Sequence, residues 1–494
     1  MAYQTSSFVI SNINFGFEEK CPEIYNEAYK MAYQIERDEY EEDKMSEDEE
    51  FKDGFIKAGE REYTADPDTA MKSHKYQNNI KFLTNKIILE AAEIPYSIVV
   101  TFNGDLKIED VTNEMINEKV KEKYGIGMVS FNKDYPHSED ILRQKTADSV
   151  SKVFESGDYK AFLKIKESLK SYSFNNICMV YSQYPDAQAV KGFKAWKSFD
   201  REVVKGSKAI EIWCPKFTVL NDEEQANKYV LRMYPKRIEP IYADPNDPDS
   251  NIVGEIDLNE RHRNNLKEKI MKDIDKKGKY ERLDGYRIGK VFDVAQTQHI
   301  DPKTGKPDPD HDNIDEIINR DKKLETQLAD VKDITTAIND AFITHSYGFQ
   351  CAIGDNEYIY QSIYKYANYK LHNDPASITG IKNRDISTGA LAEAETLIGA
   401  GLICEHIGIK EALDKVGLQL TKVLKPNDAL ENVENFKKYI DNGGTGRAAV
   451  FKEAFTRGSA LAADFNAAYD KAFEEIMKLN KVKTKEQKEA EYER

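Results

Sequence analysis

Between Ile300 and Asp312 the chain reads IDPKTGKPDPDHD. Pro302, Gly305, Pro307 and Pro309 deny this stretch a regular ladder. Proline has no amide donor, and glycine loses the most backbone entropy on ordering. The break divides two kinds of pattern. Before it, helical and alternating periods are interleaved; after it, only the helical period recurs. The sequence therefore predicts an α+β, multidomain chain, with a mixed α/β central domain and a mainly helical C-terminal one. With 494 residues there is room for two to four domains. We place them at residues 1–145, 146–303 and 315–494.

In the first segment, residues 36–50 (ERDEYEEDKMSEDEE) form an acidic run. It fits a solvated helix face or arm, or a strip that mimics DNA. The stretch IPYSIVVTFNGDLKIEDVT reads as strand, turn, strand, with Asn103-Gly104 as a hairpin signal. A helix, NEMINEKVKEKYG, is expected to stop at Gly125. In the middle segment, Phe162, Ile165 and Leu169 recur at helical spacing. A helix to about Tyr181, a turn at Pro185-Asp186, a short helix through Trp196, a turn at Gly206 and a strand AIEIW follow. Residues 259–282 read as a charged helical insertion, and RIGKVFDVAQT as a returning strand. In the last segment, helices are expected at 322–345, 356–372, 388–407, 427–441 and 446–480, with a polar tail that frays.

The formal net charge is −16. Such a molecule as a whole repels a phosphate backbone, so any nucleic-acid contact needs a local basic surface. One exists. Between Ser151 and Lys216 twelve Lys or Arg stand against seven Asp or Glu, a local net of +5. Lys191, Lys194, Lys197 and Arg201 would share one side of a helix, beside a stripe of Phe193, Trp196 and Phe199. Basic groups can track phosphates while rings stack on unpaired bases, which suits a single strand better than a duplex. The same aromatic spacing also fits a buried core.

A set of motifs in this segment adds to the reading. Phe174-Asn175-Asn176, Gln183-x-Pro185, Gly192-Phe193-x-x-Trp196 and Val204-Lys205-Gly206-x-Lys208-Ala209-Ile210 resemble the N-terminal domain of ArdC-type antirestriction proteins and the related LtrC-like proteins. Val291-Phe292-Asp293-Val294-x-Gln296-Thr297 resembles a second block of that pattern. The resemblance implies a single-stranded-DNA-binding domain, carried by phages or other mobile elements whose DNA must survive host restriction. By position it implies Asn175, Gln183, Trp196, Lys205, Lys208 and Gln296 as the DNA face or its support. Lys191, Lys194, Lys197 and Arg201 join them on charge. In one departure, Asp200 precedes Arg201 where the family commonly has glycine.

Members of this family often continue into a zincin-like metallopeptidase domain. Leu391-Ala392-Glu393-Ala394-Glu395, running on to Cys404-Glu405-His406-Ile407-Gly408-Ile409, resembles its later acidic helix. At the place of HExxH, however, stands Tyr364-Lys365-Tyr366-Ala367-Asn368. Tyrosine and asparagine are poor replacements for imidazole on zinc, and Lys365 would repel a divalent cation. With Glu393 or Glu395 as a lone ligand, the resemblance implies a degenerate domain with no catalytic residues, no metal and no cofactor.

Other chemistry is not written in the chain. GxSxG, GxxxxGK[ST] and GxGxxG are missing. Gly443-Gly444-x-Gly446 before a helix reads as a helix-start turn, and the alternating Asp308, Asp310 and Asp312 as a solvated linker. The five cysteines form no CxxC pair. No apolar run spans a membrane, and MAYQTSSFVISNINFGFEEK does not read as a secretory leader, so the bacterial cytoplasm is the expected setting. The reading is a phage or mobile-element antirestriction protein that binds single-stranded DNA and is not an enzyme. Two alternatives stay open: an acidic DNA mimic that inhibits a host defence protein, and an active zinc metallopeptidase.

Overall fold

In the computed structural model the described residues are 5–52, 66–242, 252–308, 314, 317, 331–352, 354–381, 389–409, 411–441 and 444–492. The protein is α+β. The chain forms two compact units, one of residues 1–212 with 290–494, the other of residues 213–289. Among the described residues no helix is long and apolar enough to cross a membrane.

The larger unit opens with β1 (Thr5–Asn14), α1 (Phe17–Lys20), α2 (Pro22–Lys52), α3 (Pro67–Ala70), α4 (His74–Ala91), β2 (Ile98–Asn103), α5 (Asn113–Tyr124) and β3 (Ser130–Asp134). β1 is the middle strand of an antiparallel sheet, flanked by β2 and β3. Phe8 and Ile10 alternate inward along β1 and meet α4 and α5 in one core with Ile80, Ile88 and Ile116. The hairpin expected at Asn103-Gly104 does not form. β2 pairs with β1, nearly a hundred residues upstream, and Gly104 turns the chain with a φ of 104°. α5 does end at Gly125, which takes the left-handed conformation.

Next come α6 (Ser138–Ser156), α7 (Tyr159–Ser168), α8 (Phe174–Gln183), β4 (Val190–Gly192), a 3-10 turn at Ala195–Phe199, β5 (Arg201–Val203) and β6 (Ile210–Leu220). The chain returns through β9 (Tyr280–Asp293), a 3-10 turn at Val294–Gln296 and β10 (Thr297–His299). β9 lies between β4 and β6, and β10 pairs with β5. The helices α11 (Val331–Thr344), α12 (Asn356–His372), α13 (Gly389–His406), α14 (Glu411–Val423), α15 (Val433–Asp441) and α16 (Arg447–Tyr492) complete this unit. One core takes Phe162, Phe174 and Ile177 from the middle of the chain and Ile398, Phe451 and Phe455 from its last helices.

Two expectations for the helical part need correction. No helix was expected between 407 and 427, yet α14 forms there with Leu413, Val416 and Leu420 buried at helical spacing. The polar tail, expected to fray, continues α16 to Tyr492. The start of the helix expected at 322–345 and the Asp310–Asp312 stretch lie outside the described residues.

The smaller unit holds α9 (Glu223–Met233), β7 (Ile238–Tyr242), β8 (Ile252–Asp257) and α10 (Glu260–Lys277) around Ala226, Tyr229, Val230 and Ile270. Arg263 pairs with Asp257 there and holds its carboxyl down at about 2.

Candidate nucleic-acid interface

The basic segment rests on a framework of side chains bonded to main chain. Ser173 caps α8, and Asn175 sits half-buried in its first turn. At the other end, Gln183 spends both ends of its amide on β6. Its Nε2 donates to the Glu211 carbonyl at 2.9 Å, and its Oε1 accepts the Glu211 N–H at 3.0 Å. Asp293 has no exposed surface. One of its oxygens accepts the N–H groups of Gln188 and Ala189, at 2.7 and 3.0 Å, and the other accepts that of Ala295 at 2.9 Å. Gln296 accepts the Asp293 N–H at 2.9 Å and donates to the Lys208 carbonyl at 2.8 Å. The two blocks of the sequence pattern are thus joined. Val190, Lys191 and Gly192 pair with Asp293, Phe292 and Val291.

The short helix expected through Trp196 is a 3-10 turn at Ala195–Phe199, set between the strands β4 and β5. Lys191, Lys194, Lys197 and Arg201 therefore do not share a helix face. The 3-10 geometry aligns residues three apart, so the same spacing serves it. Trp196 is fully buried and donates its indole N–H to the Phe292 carbonyl at 3.1 Å. Arg201 is 1% exposed. Its Nε donates to the Thr297 hydroxyl at 2.7 Å and another guanidinium nitrogen to the Thr297 carbonyl at 3.0 Å. Neither side chain offers surface to a strand, so of the two roles expected for Trp196, DNA face or its support, burial fits the second, and Arg201, expected there on charge, is buried likewise. A buried indole and guanidinium need partners, and these are supplied almost a hundred residues away in sequence.

Five lysines remain near the surface. Lys194, Lys197, Lys205 and Lys208 are exposed, and Lys191 is half-buried with its ammonium 4.4 Å from the centre of the Phe199 ring. Phe193, 54% exposed, is the ring that faces outward, its edge against Phe292 with centroids 6.2 Å apart. Asp200, before the buried Arg201, has φ 53°. That is the left-handed region glycine enters freely, and the chain departs from glycine there with a residue that tolerates it. Asp293 and Thr297, which anchor the segment, were not singled out by sequence reasoning. An aspartate next to an apolar pair gave no sign that its carboxylate would gather the amide N–H groups of Gln188, Ala189 and Ala295.

Of the residues at the expected peptidase position, Tyr364 of α12 and Glu393 of α13 come together. The Tyr364 hydroxyl lies 3.1 Å from each carboxylate oxygen of Glu393, and burial and that carboxylate push it up to about 12. Lys365 and Asn368 point to the exposed side of α12. Glu395 is wholly buried, 3.1 Å from the Arg457 guanidinium. His372 Nε2 lies 3.1 Å from both the Ala392 carbonyl and the Thr396 hydroxyl, and burial lowers its pKa. Among the described residues no group of three or more His, Cys, Asp or Glu is arranged to hold a metal.

Residues 140–246 match a family model described as the N-terminal domain of anti-restriction factor ArdC. The match takes in α6 through β7 and ends before the second sequence block at 291–297. No curated protein and no solved structure shows significant similarity to the chain. Residues 140–246 are thus similar to the N-terminal domain of anti-restriction factor ArdC.

Proposed function

We propose that this chain is an antirestriction protein of a phage or other mobile element, and that its ArdC-type domain binds single-stranded DNA. One observation carries the reading. The buried side chains of Trp196, Arg201 and Asp293, with the half-buried Gln296, stiffen a segment whose outward groups are Lys194, Lys197, Lys205, Lys208 and the ring of Phe193. Ammonium groups on a stiff support release counterions from phosphates, and an exposed ring stacks on a base of any kind. In an otherwise anionic chain such a surface is where a strand would be tolerated. Labelled single-stranded and duplex oligonucleotides of one sequence, titrated at low salt, test this. Tighter binding of the single strand supports it; equal affinities or none overturn it.

In this reading the helical C-terminal part is a peptidase-like domain without peptidase chemistry. The residues at the zinc position do not fit the ion. Tyr364 is engaged with Glu393, Glu395 is neutralised by Arg457, and His372 is turned to Ala392 and Thr396. A cationic guanidinium beside the remaining carboxylate opposes a divalent metal.

A further inference from the structure

Outside the basic segment, a cavity of about 710 Å³ opens beside the first sheet, where β2 begins and β1 runs on past it. Its size is that of a small-ligand pocket. Phe82 and Tyr96 form one wall, their rings 6.2 Å apart and inclined by 22°. Both rings are substantially exposed, at 56% and 36%. The Lys86 ammonium lies 5.8 Å from the centre of the Tyr96 ring, and Arg143 of α6 also lines the cavity. The one carboxylate in the lining, Asp140, is spent on the start of α6, where it accepts the His137 N–H at 2.9 Å.

The backbone at this cavity is irregular. From Ser11 to Asn14, β1 advances three residues while β3 advances two, from Asn132 to Ser130. This is a bulge, and within it Asn12 is held at φ 50°. Bulges of this kind re-aim side chains, and they concentrate beside sites. Asn12 and Asn85 both line the cavity.

We propose that this cavity binds a nucleotide. The base stacks on the Tyr96 and Phe82 rings, the phosphate meets Lys86 and Arg143, and the amides of Asn12 and Asn85 read polar edges of base or sugar. Aromatic faces, two cations and amides that both donate and accept are the complement of a planar heterocycle with an anionic tail. The nucleotide is either a free mononucleotide or one unit of a DNA strand. Only the second source rests on the DNA-binding reading above.

The test titrates thymidine and adenosine 5′-monophosphates, and separately a labelled single-stranded oligonucleotide, into the full chain and its variants. The variants are Tyr96→Ala, Tyr96→Phe, Lys86→Glu and the double change Lys205→Glu, Lys208→Glu. Tyr96→Ala and Lys86→Glu are expected to weaken at least one ligand about tenfold, while Tyr96→Phe, which keeps the ring, retains binding. A mononucleotide that binds the Lys205, Lys208 variant as well as the parent identifies the free ligand. An effect of Tyr96→Ala confined to the oligonucleotide identifies the strand. If Tyr96→Ala and Lys86→Glu bind both ligands like the parent, or no mononucleotide binds and the oligonucleotide is unaffected, the proposal is overturned. Tyr96 is exposed and Lys86 half-buried, and an unchanged melting temperature in each variant separates loss of a ligand contact from loss of fold.

Discussion

Trp196 donates its indole N–H to the main-chain carbonyl of Phe292 at 3.1 Å, joining the two halves of the ArdC-type pattern across about a hundred residues. The ring is sealed from solvent, so its loss acts on folding. Trp196→Ala is expected to cost about 3–5 kcal/mol, as large-to-small changes in cores do. Thermal denaturation should show a lowered midpoint. Any DNA affinity it loses should return in Trp196→Phe, which refills most of the space.

Asp200 offers the converse test. Its left-handed backbone suits glycine, and its carboxylate stands in a segment of exposed lysines. Asp200→Gly should leave stability within about 1 kcal/mol of the parent and raise single-strand affinity at low salt. An affinity that falls would show that the carboxylate is not facing the strand.

The buried pair Glu395–Arg457 supports a third expectation. Arg457→Ala removes the guanidinium from a carboxylate that has no exposed surface. Breaking such a pair from one side costs about 3–5 kcal/mol. The double change Glu395→Leu, Arg457→Met should recover much of that, because no charge is then left in the core. Metal analysis of protein purified without chelators should find zinc far below one per chain; stoichiometric zinc would contradict the peptidase-like reading.

His406 gives a pH dependence. It bridges α7 and α16, with Nδ1 2.9 Å from Glu167 and Nε2 2.8 Å from Asp470, and Lys170 also meets Glu167 at 2.9 Å. Burial works against a charged ring here, but the two carboxylates outweigh it and raise its pKa. Burial likewise pushes Glu167 up, yet His406 and Lys170 bring it below its ordinary value. A raised histidine pKa gives stability that is complete below about 6.5 and is lost as pH rises through the folded value. A lowered carboxyl gives stability that is complete above about 4.3 and lost as pH falls through the folded value. The network should be strongest between the two. Parent and His406→Gln melting temperatures should differ more at pH 6 than at pH 8.5, where charge-assisted bonds worth about 1.5–3 kcal/mol are weakened. A difference that is constant with pH would show that the ring does not change its charge between these values.

Local patterns carried much of this fold. α5 with its Gly125 stop, α8, the alternation of Ile210 and Ile212, and β9 all follow from periods and caps within a dozen residues. What stayed hidden was held by distant partners. β2 looks like half of a hairpin until β1 is known to take its edge. Arg201 looks like a surface base until Thr297 is placed beside it. The spacing of Phe193, Trp196 and Phe199 is shared by an α-helix and a 3-10 turn, and only burial separates outward Phe193 from inward Trp196. The cavity at Asn12 depends on a bulge, which leaves no periodic trace.

The central claim is that exposed lysines on a rigid ArdC-type framework hold a single strand. The most direct measurement is the affinity of the chain and of its Lys205→Glu, Lys208→Glu variant for an unstructured oligonucleotide between about 50 and 200 mM salt. Binding should weaken steeply with salt. The variant should lose about tenfold or more at low salt, with a shallower salt slope by about one or two and an unchanged melting temperature. If the variant binds as tightly as the parent, or the parent does not bind at 50 mM salt, the claim is contradicted.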